Sequence, residues 1–238
     1  KAMLEHKSQK NNYFEYRNIS EKNYQNTQLP LWIKNEITDK DVKILDYGCG
    51  FGQTLKALKK DGYQAIYGVD IEENAIESCK NNNLKVERLD LTNIKNPYEF
   101  KFDIIILSHI IEHIPKSEII DTLAFIRSEF LSTNGKLLIA VPNAQANTDC
   151  YWAYEDWTHT TLFTSGSIYY VLKSAGFEKV EFLDIDCTLG SSKIKSIIRK
   201  FFLKIYRLNK SFWNKITASA YHQPSPQIFS FEIKVKVQ

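Results

Sequence analysis

From about residue 42 onward, short apolar runs rich in β-branched residues alternate with stretches whose apolar positions recur every three to four residues. Residues 42–46, 65–70, 85–89, 102–107 and 136–141 read as strands. Residues 52–60, 73–81 and 116–131, lying between them, carry helical spacing. Asn134-Gly135 supplies a turn before the fifth strand. Strand–helix alternation of this kind predicts an α/β fold, a doubly wound and mostly parallel sheet with helices on both faces. Such sheets bind ligands beyond the carboxyl ends of their strands.

After Val141 the rhythm changes. A polar, aromatic stretch, PNAQANTDCYWAYEDWTHTTLFT, carries Trp152, Trp157 and His159. Residues 165–175 then read as a helix closed by Gly176, and 180–186 as a sixth strand. The seventh, 227–237, comes only after some forty residues, far longer than the 2–5 of a hairpin. The pattern divides the chain into an N-terminal helical segment (1–40, with 11–26 placed over the ligand edge), a core (41–186), an inserted helical lid (187–226) and a final core strand (227–238).

Composition narrows the class without naming it. The 238 residues are 43% hydrophobic and 25% charged, ordinary for a globular chain. No apolar run reaches the roughly 18 residues that a membrane-spanning helix needs. KAMLEHKSQKNNY at the start lacks the apolar centre of a signal peptide, which predicts a cytoplasmic protein. Cys49, Cys79, Cys150 and Cys187 show no paired spacing, against a zinc knuckle or disulfide framework. A net charge of +3 does not by itself imply nucleic acid.

The chemistry begins at ILDYGCGFG, residues 44–52. Glycine at 48, 50 and 52 allows a sharp turn and the close approach of a ligand to the backbone. Taken alone, the run is equally a strand-to-helix connection. Asp70 follows Gly50 by twenty residues at the end of the second strand, where an acid can bind ribose hydroxyls. Asp90-Leu91 ends the third strand, where an adenine edge would lie. A dinucleotide site wants GxGxxG so that a pyrophosphate meets the helix N-terminus. Here the third glycine comes one position early and Asp46 stands two residues before the first. A carboxylate there repels a pyrophosphate but can hold an ammonium group, directly or through water.

These residues resemble the class I S-adenosylmethionine-dependent methyltransferases. ILDYGCGFG looks like the family's first motif, YGVDIEENAIESC its second, RLDLTNI its third and FDIIILSHIIEHI its fourth; LLIAVPN and AGFEKVEF resemble its fifth and sixth strands. The resemblance implies a seven-stranded sheet with an antiparallel last strand, and S-adenosylmethionine as cofactor, leaving as S-adenosylhomocysteine. It implies a cofactor site of Asp46, Gly48, Gly50, Gly52, Asp70 on the ribose, Ile71 beside the adenine, Asp90 taking the adenine amino group, Leu91 and Ser108. It says almost nothing about the acceptor.

His109, Glu112 and His113 follow the fourth strand. Either this group orients its loop through hydrogen bonds, or one histidine acts as a general base on a hydroxyl acceptor, since histidine titrates near neutral pH. Relatives that methylate ring hydroxyls carry E-x-x-E-H here and use a divalent ion; this chain has His109 in the first place, and no metal is expected. H-x-x-E-H also matches inverted zinc peptidases, but those need it on a long helix, not beyond a strand. His159 resembles the histidine before the sixth-strand helix in members acting on sugars and small metabolites, which points to a hydroxyl on a sugar, nucleotide-linked sugar or surface-polysaccharide precursor. A phosphorylated, lipid-linked or amine acceptor is the second reading, and a cofactor-binding module without catalysis the third. Tyr151, Trp152, Tyr154 and Trp157 either stack on an acceptor or pack beneath a lid.

Residues 191–216 contain no acid, and lysines and arginines alternate there with Ile194, Ile197, Ile198, Phe201, Phe202 and Ile205 at helical spacing. Three readings stand: an amphipathic helix packing its stripe on the domain, a surface helix for anionic membrane through 193–210, or a lid attracting an anionic acceptor. The position of the insertion favours the lid. A nucleic-acid surface is the poorest fit, since no RNA-binding module accompanies it.

Overall fold

The central strand, β1 (Ile44–Tyr47), buries all four side chains, as a strand covered on both faces must. It lies between β2 (Ile66–Asp70) and β4 (Phe102–Ser108), parallel to both, with Ile44 in register with Ile66 and Ile104. In the computed structural model, which describes residues 28–90, 94–220 and 226–238, a seven-stranded sheet has the order β3-β2-β1-β4-β5-β7-β6. β3 is Val86–Arg88, β5 Leu131–Pro142, β6 Val180–Leu183 and β7 Glu232–Val237. β7 is antiparallel to both β5 and β6, the one reversal in the sheet.

Because successive strand residues point to opposite faces, the apolar runs feed two cores. Leu45, Ile105, Leu107, Leu137 and Ile139 face one, with α4 (Ile119–Phe125) and α6 (Ser165–Ser174) over them. Ile44, Ile104, Ile106 and Leu138 face the other, covered by α1 (Leu31–Lys34), α2 (Gln53–Lys60) and α3 (Glu73–Asn81). α6 begins in a capping box: Thr164 Oγ1 accepts from the Ser167 amide while Ser167 Oγ accepts from the Thr164 amide. It ends before Gly176, whose φ of +89° is the left-handed exit expected there.

The boundaries differ where the backbone has other partners. The helix expected over 116–131 starts at Ile119 and closes in a π turn, Ile126–Phe130. β5 takes in Asn134-Gly135 instead of following it: Leu131 pairs with Phe102 and Lys136 with Ile104, and the residues between form an irregularity. The strand expected over 180–186 stops at Leu183, because Asp184 turns left-handed (φ +47°) and its Oδ1 accepts from the Thr188 and Leu189 amides. The strand expected over 227–237 starts only at Glu232, because Asn143 Nδ2 donates to the carbonyls of Ile228 and Ser230 and takes that segment out of the ladder. The insertion contains one long helix, α7 (Lys193–Ile216). The helices expected over 11–26, and Leu91, lie outside the described residues.

Candidate active site

The glycine turn leaves β1 with Gly48, Gly50 and Gly52 all at positive φ, +83°, +48° and +75°. The Gly48 and Cys49 amides donate to the Val69 carbonyl at 2.8 and 3.0 Å, anchoring the turn to the end of β2. A Cβ at Gly48 would overlap the end of the Ile110 side chain, which packs against the bare turn and would have to shift to admit one. Asp70, buried at the end of β2, fastens the same turn. Its Oδ2 accepts from the Gly50 amide at 2.7 Å and its Oδ1 from the Ile71 and Glu72 amides at 2.8 and 3.0 Å. The acid expected on a ribose is seen here fastening the turn through three backbone amides.

Asp46 lies buried behind the turn. Burial first, then the charge of Asp70, push its carboxyl up to about 7, against a hydrogen bond with Thr54. A cation brought to this carboxylate would relieve both effects, which is how the site fits the ammonium end of the expected cofactor. Ile71 is half-buried, Asp90 is exposed beyond the end of β3, and Ser108 ends β4 opposite Ala140.

Beyond β4 the chain makes a second strained turn. His109 has φ +57°, a region a histidine visits at some cost, and its amide donates to the Ala140 carbonyl at 2.9 Å. The imidazole thereby sits between two carboxylates, Glu112 Oε1 at 3.2 Å and Glu232 Oε1 at 2.9 Å. Partial loss of solvent lowers its pKa, but the two hydrogen bonds and charges outweigh that and push it up to about 9. His109 is a cation at neutral pH.

Glu112, in a short 3-10 turn (Ile111–His113), is wholly buried. Its Oε2 has no hydrogen-bond partner among the described residues, although the carboxylate is wholly buried. His113 is different from His109. Its Nδ1 donates to the Thr158 carbonyl (3.3 Å) and Oγ1 (2.9 Å), and Thr158 Oγ1 donates to Asp156 Oδ1 at 2.6 Å. That chain puts the ring proton on Nδ1, assigned from its partners, and leaves Nε2 the basic nitrogen. Burial is the main cause that lowers the His113 pKa, with Glu112 opposing and His159 adding to it. The buried His159 ring donates from Nδ1 to the Trp152 carbonyl at 2.7 Å, and its centroid is 4.8 Å from that of His113. Ligand atoms of Glu112, His113 and His159 all lie within 4.8 Å of one another, a set able to accept a divalent cation.

All three sequence-predicted histidines are thus brought together beyond β4. Glu232, Asp156 and Thr158 were missed. Glu232 opens a strand over a hundred residues further on, and nothing local sets it apart. Asp156 and Thr158 flank Trp157 in a loop whose composition signals only an aromatic surface. Of those aromatics, Tyr151, Tyr154 and Trp157 are exposed, so the packed-underside reading does not describe them.

The seven-stranded order with a single antiparallel strand, a glycine turn and acids at the strand ends define a class I methyltransferase fold, whose cofactor is S-adenosylmethionine. The sequence matches the methyltransferase domain family over residues 16–181 and belongs to that family. Its fold superposes with TM-score 0.60 on a SAM-dependent methyltransferase from Archaeoglobus fulgidus, at 20% identity over 94% of this chain and 97% of that one. It is 39% identical over 51 residues to ribosomal protein L11 methyltransferase of Paraburkholderia phymatum, covering 21% of this chain and 17% of that protein. It is 33% identical over 90 residues to ubiquinone biosynthesis O-methyltransferase of Coxiella burnetii, 35% of this chain and 38% of that one. The chain thus covers well under half the length of these curated relatives.

Proposed function

We propose that this chain transfers the methyl group of S-adenosylmethionine to a hydroxyl, on a sugar, a nucleotide-linked sugar or a surface-polysaccharide precursor, with His113 as the base. The observation that carries the base assignment is the contrast between two neighbouring rings. His109 is held charged by two carboxylates and has no lone pair to offer at pH 7. His113 is kept neutral by burial and aimed by the Thr158–Asp156 relay. When bound, the cofactor would supply a methyl group on a sulfonium sulfur that leaves with the bonding pair as an acceptor oxygen attacks the methyl carbon, and His113 Nε2 would take the hydroxyl proton. A sulfonium is already activated, so in-line positioning supplies most of the acceleration. Asp46, Gly48, Gly50, Gly52, Asp70, Ile71, Asp90 and Ser108 would hold the cofactor in this reading.

Exposed Tyr151, Tyr154 and Trp157 beside this cluster favour an acceptor with a flat apolar face, as sugar rings have. The name of the Coxiella relative supports an oxygen acceptor, and the free thiols fit a reducing compartment. A second reading, a phosphorylated or lipid-linked acceptor, is favoured by the cations of α7 facing an open groove of about 810 Å³ lined by Lys195, Arg199, Phe202, Tyr206 and Phe229. The test is methyl-labelled S-adenosylmethionine with a panel of hydroxyl, phosphorylated and amine acceptors. His113→Gln should lower kcat by about 10²–10⁴-fold and leave calorimetric cofactor affinity unchanged. Turnover equal to wild type in that variant would remove His113 as base, and loss of activity on chelation would assign Glu112, His113 and His159 to a metal instead.

A further inference from the structure

A surface helix ordinarily turns its apolar stripe to the core and its charges to water. α7 does the reverse. Its half-buried positions are Ser196, Leu203, Tyr206, Arg207, Lys210 and Asn214, whose spacing puts them on one face. That face meets the domain through two polar contacts and one aromatic one: Arg207 Nη2 pairs with Asp186 Oδ1 at 2.6 Å, Arg199 donates to the Cys187 carbonyl, and Tyr206 stands edge-on to Phe229 at 4.9 Å. The opposite face carries Ile194, Ile197, Phe201, Ile205, Leu208 and Phe212, all between 47% and 72% exposed. No residue of the helix is buried. An apolar stripe that runs the length of a 24-residue helix, about 36 Å at 1.5 Å per residue, is larger than a soluble surface usually leaves bare.

What covers it can be argued from charge and shape. The helix holds eight lysines and arginines and no acid. Arg199 and Arg207 are turned to the domain, but Lys193, Lys195, Lys200, Lys204 and Lys215 remain exposed and form no ion pair among the described residues. Lys193, Lys200 and Lys204 border the apolar stripe on one side and Lys195 on the other. A second copy docked stripe to stripe would bring two such rows of like charge together. The stripe lies on the outward side of the helix, and the open groove between α7 and the domain, lined by Phe202, Tyr206 and Phe229, runs along one flank of it. A plane that is apolar inside and anionic at its surface meets both features at once. The same eight charges keep the helix from entering fully, and no described helix is long and apolar enough to cross a membrane.

We propose that α7 is an interfacial helix that docks this chain on an anionic lipid bilayer. Isoleucine, leucine and phenylalanine enter the boundary between headgroups and acyl chains, and the flanking lysines stay among the headgroups. Trp213, exposed at the edge of the stripe, is a residue that settles at that boundary. Docking by this face leaves the polar face of α7, with its contacts to Asp186 and Phe229, undisturbed.

The experiment is co-sedimentation of the full chain with vesicles of phosphatidylcholine, with and without phosphatidylglycerol, at low and high salt. Binding is expected only with the anionic lipid and should fall steeply as salt screens the lysines. Lys193→Gln/Lys200→Gln/Lys204→Gln should weaken binding on the order of tenfold to a hundredfold. Phe201→Ser/Phe212→Ser should weaken it at least tenfold at unchanged charge. These side chains are exposed, so melting temperature and cofactor affinity should stay at wild-type values in both variants, separating this proposal from the catalytic one. Absence of wild-type binding to anionic vesicles at low salt overturns the proposal. So does a dimer by light scattering that Phe201→Ser/Phe212→Ser converts to monomer, which would assign the stripe to a second copy.

Discussion

Glu232→Gln gives a direct measure of how the far strand sets the charge of the site. Glu232 and Glu112 together hold the His109 pKa at about 9 against an ordinary 6.5. At about 1.36 kcal/mol per tenfold, that gap has an upper bound of about 3.4 kcal/mol. The His109 side chain is 44% exposed, and solvent screening brings the share reaching stability to about 1–1.5 kcal/mol. The native state binds more protons than the unfolded one between the two values, so stability is complete below pH 6.5 and declines as pH rises through about 9. The variant keeps Glu112 and loses the shorter contact, 2.9 Å against 3.2 Å, so about 0.5–1 kcal/mol should go at pH 6.5. Urea unfolding at intervals from pH 6 to 9.5 reads this directly: the wild-type curve slopes down, and that of Glu232→Gln starts lower and is flatter. Titration of Glu232 itself lies far below this window, its own pKa being lowered despite burial by the bond to His109. His109→Asn, which tolerates the left-handed backbone, should abolish the slope above about pH 7, leaving below it the decline due to Asp46. Parallel wild-type and Glu232→Gln curves would refute the charge assignment.

Other expectations are simpler. Asp46→Asn should stabilise the protein at pH 8 by on the order of 2 kcal/mol, since a carboxyl pushed up to about 7 costs stability as pH rises through 3.8 to 7; calorimetry should show cofactor affinity down at least tenfold. Gly48→Ala should destabilise by about 1–2 kcal/mol from the positive φ alone, and Ile110→Ala in the same chain should relieve the clash but not that strain; equal melting temperatures for wild type and Gly48→Ala would contradict this. Calorimetry should detect S-adenosylmethionine and S-adenosylhomocysteine but not NAD, with Asp70→Ala weakening binding by about 1–3 kcal/mol; tight NAD binding would overturn the cofactor assignment.

The fold class and the glycine turn were legible in the sequence because each depends on local rules. A strand buried on both faces must be apolar throughout, a turn under close contact must be glycine, and both signals lie within a few consecutive residues. The strands β1 and β4, the later half of β5 and the turn at residues 48–52 are of this kind. The strand ends were less legible, because Asn143 and Asp184 remove backbone groups from the ladder through side chains that no periodicity records. The three histidines could be picked out as candidates, but their protonation could not, since that depends on Glu232 and on the Thr158–Asp156 relay. The amphipathic pattern of residues 193–216 was equally plain in the sequence and open to a packed, lid or membrane reading. Only the tertiary structure decided which way the stripe points, because Asp186 and Phe229 hold the polar face and leave the apolar one to the outside. Periodicity fixes which residues share a face. Contacts between distant segments decide where that face looks and what charge a side chain there carries.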